Sequence, residues 1–147
     1  MIIDLRTFKQ KGQFSGDFNF NFTADNQLLP TADYSFSESG VQVEGSFEID
    51  GKDVYVWGKV SFTMNGPCSR CLENASSIIS LEFDEKFVIF KNEECYTYSK
   101  DRVDLTEMVT NLILSCAPLC IYCKDDCLGL CPTCGANLNY EKCGCKN

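Results

Sequence analysis

Hydrophobic and polar residues alternate most regularly between positions 41 and 64. Val41, Val43, Gly45, Phe47 and Ile49 share one parity, and after Asp50-Gly51-Lys52-Asp53 the pattern resumes with Val54, Val56, Gly58, Val60, Phe62 and Met64. A period of two marks a strand with one buried face. Asp-Gly and Gly-Lys are both good two-residue turns, and either places the two apolar sets on the same sheet face, so the segment predicts a β-hairpin in one of two registers. Gly45 and Gly58 fall on that apolar face, where close approach by another core element is the expected reason for a glycine. A further strand pattern covers about 76–90 through Ile78, Leu81, Phe83, Phe87 and Ile89. Phe14, Phe18, Phe20 and Phe22 also share a parity and predict a half-buried strand; an aromatic base-stacking platform would need basic neighbours that are absent. Residues 23–40, with Pro30, read as loop, and Leu5 and Phe8 fit a short helical turn after Asp4.

The period changes once. Leu105, Met108, Val109, Leu112 and Ile113 follow the i, i+3, i+4, i+7, i+8 spacing of one helix face. Asp104-Leu105-Thr106-Glu107 has a capping-box pattern, with Val103 and Met108 at the staple positions and Pro118 beyond the helix end. These elements predict an α+β fold: an antiparallel β-rich sheet or partial barrel covered by one main helix, with a cysteine-rich C-terminal knuckle. The expected organisation is a β-rich domain over 1–115, its helix at about 104–115, and a metal-binding tail over 116–147.

Composition narrows the chemistry. With 147 residues, 44% of them hydrophobic, and 11 Phe, the chain has material for a real core. The opening Met1-Ile2-Ile3-Asp4-Leu5-Arg6 lacks the apolar run of a secretory leader, and no stretch approaches a membrane span, so a cytoplasmic location is expected. The net charge of −8, without a basic stripe, favours a basic protein partner over a direct grip on RNA phosphates.

The 11 cysteines change the picture most. In the reducing cytosol, clustered thiols point to metal rather than disulfides, and an odd total fits poorly with complete pairing. Cys131-Pro132-Thr133-Cys134-Gly135 has the form of a zinc knuckle, with Gly135 supplying the positive φ of the turn. Cys143 and Cys145, flanking Gly144, follow after eight intervening residues and complete a local set of four. Upstream, Cys68-Ser69-Arg70-Cys71 needs two more thiols to hold a metal. Cys123 and Cys127 are the natural candidates, with Cys120 competing for the Cys123 role. Cys95, Cys116 and Cys120 then remain, with burial as small apolar residues the expectation. Up to two structural zinc ions follow. A dithiol redox centre at Cys68 and Cys71 is the alternative, since Arg70 favours a thiolate, but such centres sit at a helix N-terminus and this pair does not. With no histidine, nucleophile elbow or phosphate loop, no enzyme activity and no small-molecule substrate are expected.

The chain resembles the YceD family, the large ribosomal RNA subunit accumulation proteins. The likeness rests on Cys68-Ser69-Arg70-Cys71-Leu72 after a hairpin, Asp104-Leu105 opening a helix with Leu112-Ile113-Leu114, and Pro118 five residues before Cys123. It is completed by the run Cys127-Leu128-Gly129-Leu130-Cys131-Pro132-Thr133-Cys134-Gly135-Ala136-Asn137-Leu138-Asn139. The resemblance covers roughly 40–145. It implies a non-enzymatic factor for accumulation of large-subunit ribosomal RNA and ribosome assembly, with an assembly intermediate or a basic ribosomal protein as partner. A direct RNA-binding zinc module is the other reading of the same tail. Family members with a single site place its later ligands at the positions of Cys123 and Cys127.

Overall fold

The computed structural model describes residues 1–90 and 93–145. The alternating segments form an open, mostly antiparallel sheet. Strands β1 (Ile2–Asp4), β2 (Ser15–Phe22), β3 (Ser35–Phe36), β4 (Val41–Asp50), β5 (Asp53–Pro67), β6 (Asn74–Val88), β7 (Tyr96–Thr97) and β8 (Arg102–Asp104) are joined by helices α1 (Leu5–Gln10) and α2 (Thr106–Cys116). The main sheet has the order β2-β4-β5-β6-β7, with β3 pairing the far end of β5, and it does not close into a barrel. Strand β7 runs parallel to β6; the other pairings are antiparallel.

Asp50 pairs with Asp53, so Gly51-Lys52 is the hairpin turn, and Gly51 adopts φ +62°. This register puts Val43 opposite Val60 and Phe47 opposite Val56, all fully buried. Gly45 faces Gly58 across the same hairpin. A Cβ at either would collide with the neighbouring strand's own carbonyl oxygen, of Trp57 or Glu44. The close approach is thus made by the two paired strands and, at Gly45, also by the Phe18 ring of β2, 2.9 Å from the Cβ position.

The helix face formed by Leu105, Met108, Val109 and Ile113 is buried and covers the apolar side of the sheet. Its start differs from the expected one. Asp104 belongs to β8, whose pairing with β1 extends the strand to that residue, and α2 begins at Thr106. The Asp104 carboxylate still caps the first turn, accepting from the Thr106 N–H at 2.9 Å and its hydroxyl at 2.6 Å. At the other end of the chain Asp4 caps α1 through the Arg6 N–H.

Three further departures have local causes. Phe14 lies just outside β2 and is 60% exposed, while Phe18, Phe20 and Phe22 are half-buried. The 23–40 segment carries a 3-10 turn at Asn26–Leu28 and strand β3, because Asn26 and the long β5 supply hydrogen-bond partners there. Cys116 and Cys120 are exposed rather than buried, since the chain leaves the core where α2 ends, and Cys95, just before β7, is half-buried. Among the described residues, no helix is long and apolar enough to cross a membrane.

Candidate metal centres

The turn from β5 to β6 is built around sulfur. Cys68 N–H donates to the Glu73 carbonyl at 2.7 Å, and Leu72 N–H to the Cys68 carbonyl at 2.9 Å. Within this loop the Arg70 N–H points at Cys68 Sγ, 3.5 Å away. Leu72 takes φ +63°, a left-handed conformation that a non-glycine residue adopts at a cost of about 1–2 kcal/mol.

The segment after α2 is laced onto this turn. Ser69 N–H donates to Ile121 O and Leu130 N–H to Arg70 O. The Arg70 guanidinium lies 4.6 Å over the Tyr122 ring and donates to the Asp125 and Cys127 carbonyls. The lacing brings Cys68, Cys71, Cys123 and Cys127 together with their sulfurs within 4.8 Å of one another. Cys68 Sγ lies 3.8 Å from Cys127 Sγ, and Cys71 Sγ 3.5 Å from Cys123 Sγ. Cys120 is in neither group of four.

The second group is local. Cys131, Cys134, Cys143 and Cys145 also lie within 4.8 Å of one another. Gly135 N–H donates to the Cys131 carbonyl at 2.9 Å, the bond that Leu72 makes to Cys68, and Gly135 has φ +75°. The two turns share one geometry, with Leu72 standing where Gly135 stands.

No disulfide joins any of the eleven cysteines. Four sulfurs at the corners of a tetrahedron, each about 2.3 Å from a central ion, are about 3.8 Å apart. The observed separations in the first group match that spacing and far exceed a disulfide bond of about 2.05 Å. The donor set is all sulfur, which selects soft or borderline ions. Both groups therefore fit a metal ion of tetrahedral preference.

The electrostatics of the thiols are uneven within each group. Burial raises the Cys68 thiol, but amide hydrogens from Arg70, Cys123 and Cys71 outweigh it and bring it down to about 6. Cys123 is pushed up to about 12 by burial and by the neighbouring thiols of Cys71, Cys127 and Cys68. In the second group, the Cys134 and Thr133 amides lower Cys131 to about 6, while Cys134 drives Cys145 up to about 11. Each group thus favours the thiolate at some sulfurs and opposes it at others, Cys71 and Cys123 in the first and Cys143 and Cys145 in the second, a conflict that a divalent ion removes by neutralising the accumulated charge.

Asn139 is a residue that pattern reading passed over. Although it follows the second knuckle, its side-chain amide donates to Cys127 Sγ of the first group at 3.4 Å, and its Oδ1 accepts from Leu128 N–H at 2.9 Å. Burial raises the Cys127 thiol, and the Asn139 amide with the Gly129 N–H reverses that to a net lowering. Only its place in the run after Gly135 hinted at this; no spacing rule connects an asparagine to a sulfur twelve residues earlier.

The model of the family described as "Large ribosomal RNA subunit accumulation protein YceD" matches residues 56–147, from near the start of β5 through the C-terminal tail and including all eight clustered cysteines. No curated protein and no solved structure matches the chain. The chain belongs to the YceD family, and that membership supports a role in large-subunit ribosomal RNA accumulation.

Proposed function

On the premise of YceD-family membership, we propose that this chain is a cytoplasmic, non-enzymatic factor in which two structural zinc ions hold a binding scaffold in shape. The scaffold supports large-subunit ribosomal RNA accumulation by engaging a protein or ribonucleoprotein assembly intermediate. The observation that carries this reading is the first four-sulfur group, which ties the β5–β6 turn to the segment after α2. Zinc suits it because an all-thiolate tetrahedral site is closed: no position is left for a catalytic water, and the ion has no redox chemistry of its own.

Charge supports a protein partner. The chain carries −8 before any metal binds, and each four-thiolate zinc site adds roughly −2 more. An acidic surface repels RNA phosphates and attracts basic protein. The rival redox reading uses Cys68 and Cys71, both buried. Rapid, selective alkylation of these two in the zinc-loaded protein would favour it.

The test has two steps. Metal analysis of protein purified under reducing, chelator-free conditions is expected to give up to two zinc ions per chain, and folded protein with no metal rejects the scaffold. Affinity capture from cells followed by sedimentation is expected to show co-migration with precursor large subunits. Sedimentation only as free protein, with unchanged large-subunit ribosomal RNA after deletion, rejects the assembly role.

A further inference from the structure

The face of the main sheet that α2 does not cover carries a groove with a consistent chemistry. It is open, about 1050 Å³ in volume, and lies over the cross-strand row Phe18-Gly45-Gly58-Phe83. One wall carries Asp17, Trp57 and Asp84, which the strand register aligns; the other carries Glu44, Lys59 and Glu82. Four strands at about 4.8 Å spacing make it roughly 14 Å long, enough for about four residues of extended chain.

The charge in the groove is one-sided. Lys59 is its single cation and pairs with Glu44 at 3.0 Å. Asp17 accepts from the Ser46 hydroxyl at 2.6 Å. Among the described residues no cation pairs with Glu82 or Asp84. Opposite Asp84 on the neighbouring strand stands Trp57, 40% exposed and the sole tryptophan of the chain. An indole face beside unpaired carboxylates receives arginine and lysine well: the ring takes the alkyl stem and cation, and the carboxylates take the charge.

We infer that this groove binds an extended lysine- and arginine-rich protein segment. The inference deepens the protein-partner reading proposed above and rests on it. RNA is the wrong occupant for these walls, because its phosphates would face carboxylates across the floor. Beneath the groove Gly45 and Gly58 let β4 and β5 approach closely, since a Cβ at either would collide with the adjacent strand.

Trp57 reports on its own groove. Zinc-loaded full chain is titrated with a ten-residue peptide alternating Arg or Lys with Ser while Trp57 fluorescence is followed. Saturable change is expected, with affinity at least tenfold weaker in the E82Q/D84N variant and within twofold of wild type in D126N/E141Q, which removes the same charge elsewhere. Equal weakening in both variants, no change in Trp57 emission, or a response to a short RNA oligomer in place of the peptide overturns the groove. In cells, loss of E82Q/D84N but not D126N/E141Q from precursor large subunits supports the groove. If E82Q/D84N co-migrates like wild type, the groove is overturned while the assembly role stands. If wild type itself does not co-migrate, the assembly role falls and the peptide titration decides the groove.

Discussion

The two cysteine groups use the same turn for different mechanical ends. Cys68–Leu72 and Cys131–Gly135 close with the same N–H to carbonyl bond and the same positive φ at the fifth residue. The first group joins residues 52 and 59 positions apart and is largely buried; the second joins a pair to another nine residues on and is more exposed. Treated as cross-links, closing a loop of 52 residues restricts the unfolded chain by about 4 kcal/mol and a loop of nine by about 2.5 kcal/mol. The first site holds two parts of the fold together, whereas the second orders only its own neighbourhood. Sequence distance between ligands, rather than the ligand set, decides which role a site takes.

Removing one ligand from each site should separate these roles. Cys71→Ser is expected to lower global stability by about 4 kcal/mol in denaturant unfolding and to raise hydrogen exchange in both β6 and the segment after α2. Cys131→Ser should raise exchange in the tail alone, with global stability changed by less than about 1 kcal/mol. Identical exchange patterns for the two variants would contradict the division.

Asn139 blurs the division, because it belongs to the tail but serves a sulfur of the first site. Asn139→Ala should cost about 1–2 kcal/mol and speed metal loss from the first site more than from the second. Metal-transfer kinetics with a colorimetric chelator can read both rates; an effect confined to the second site would remove this link.

The shared turn suggests a reciprocal exchange of smaller size. Leu72 is 66% exposed, so Leu72→Gly gives up little packing and relieves the left-handed backbone, a gain of about 0.5–1 kcal/mol. Gly135→Leu should lose about 1 kcal/mol, confined to the tail. Thermal melts and tail exchange rates check the pair, and a loss of stability in Leu72→Gly would show that the exposed leucine packs usefully.

The smallest expected effect lies at an anchor that uses no sulfur. Burial raises the Asp104 carboxyl, but the Thr106 hydroxyl and N–H and the N-terminal ammonium outweigh it, leaving it below its ordinary value of 3.8. A depressed folded-state value means the contribution is complete above pH 3.8 and is lost as pH falls below it. The side chain is more than half exposed, so screening limits this to about 0.5 kcal/mol. The difference between wild type and Asp104→Asn should shrink as pH falls from 5 to 2; a difference that does not change with pH removes the charge from the account.

Much of this was legible in the chain. The period-two runs at 41–64 and 76–90, the helix face from Leu105 to Ile113 and the family motifs each depend on neighbours close in sequence. The pairing of β1 with β8, the parallel β7 and the exposure of Phe14, Cys116 and Cys120 were not legible, because they depend on what the rest of the fold leaves uncovered. Thiol spacing named candidate groups but left Cys120 and Cys123 as rivals, since both lie within reach of Cys127 along the chain.

By itself the sequence determined the four long strands, the main helix, the acidic balance and the sulfur-rich character of the tail, because periodicity, charge and ligand type are local properties. Tertiary structure alone decided that four distant sulfurs share one place and that Asn139 serves a neighbouring site. It also decided that Trp57 stands opposite Asp84 on the open sheet face, because register and loop packing are set by the whole core.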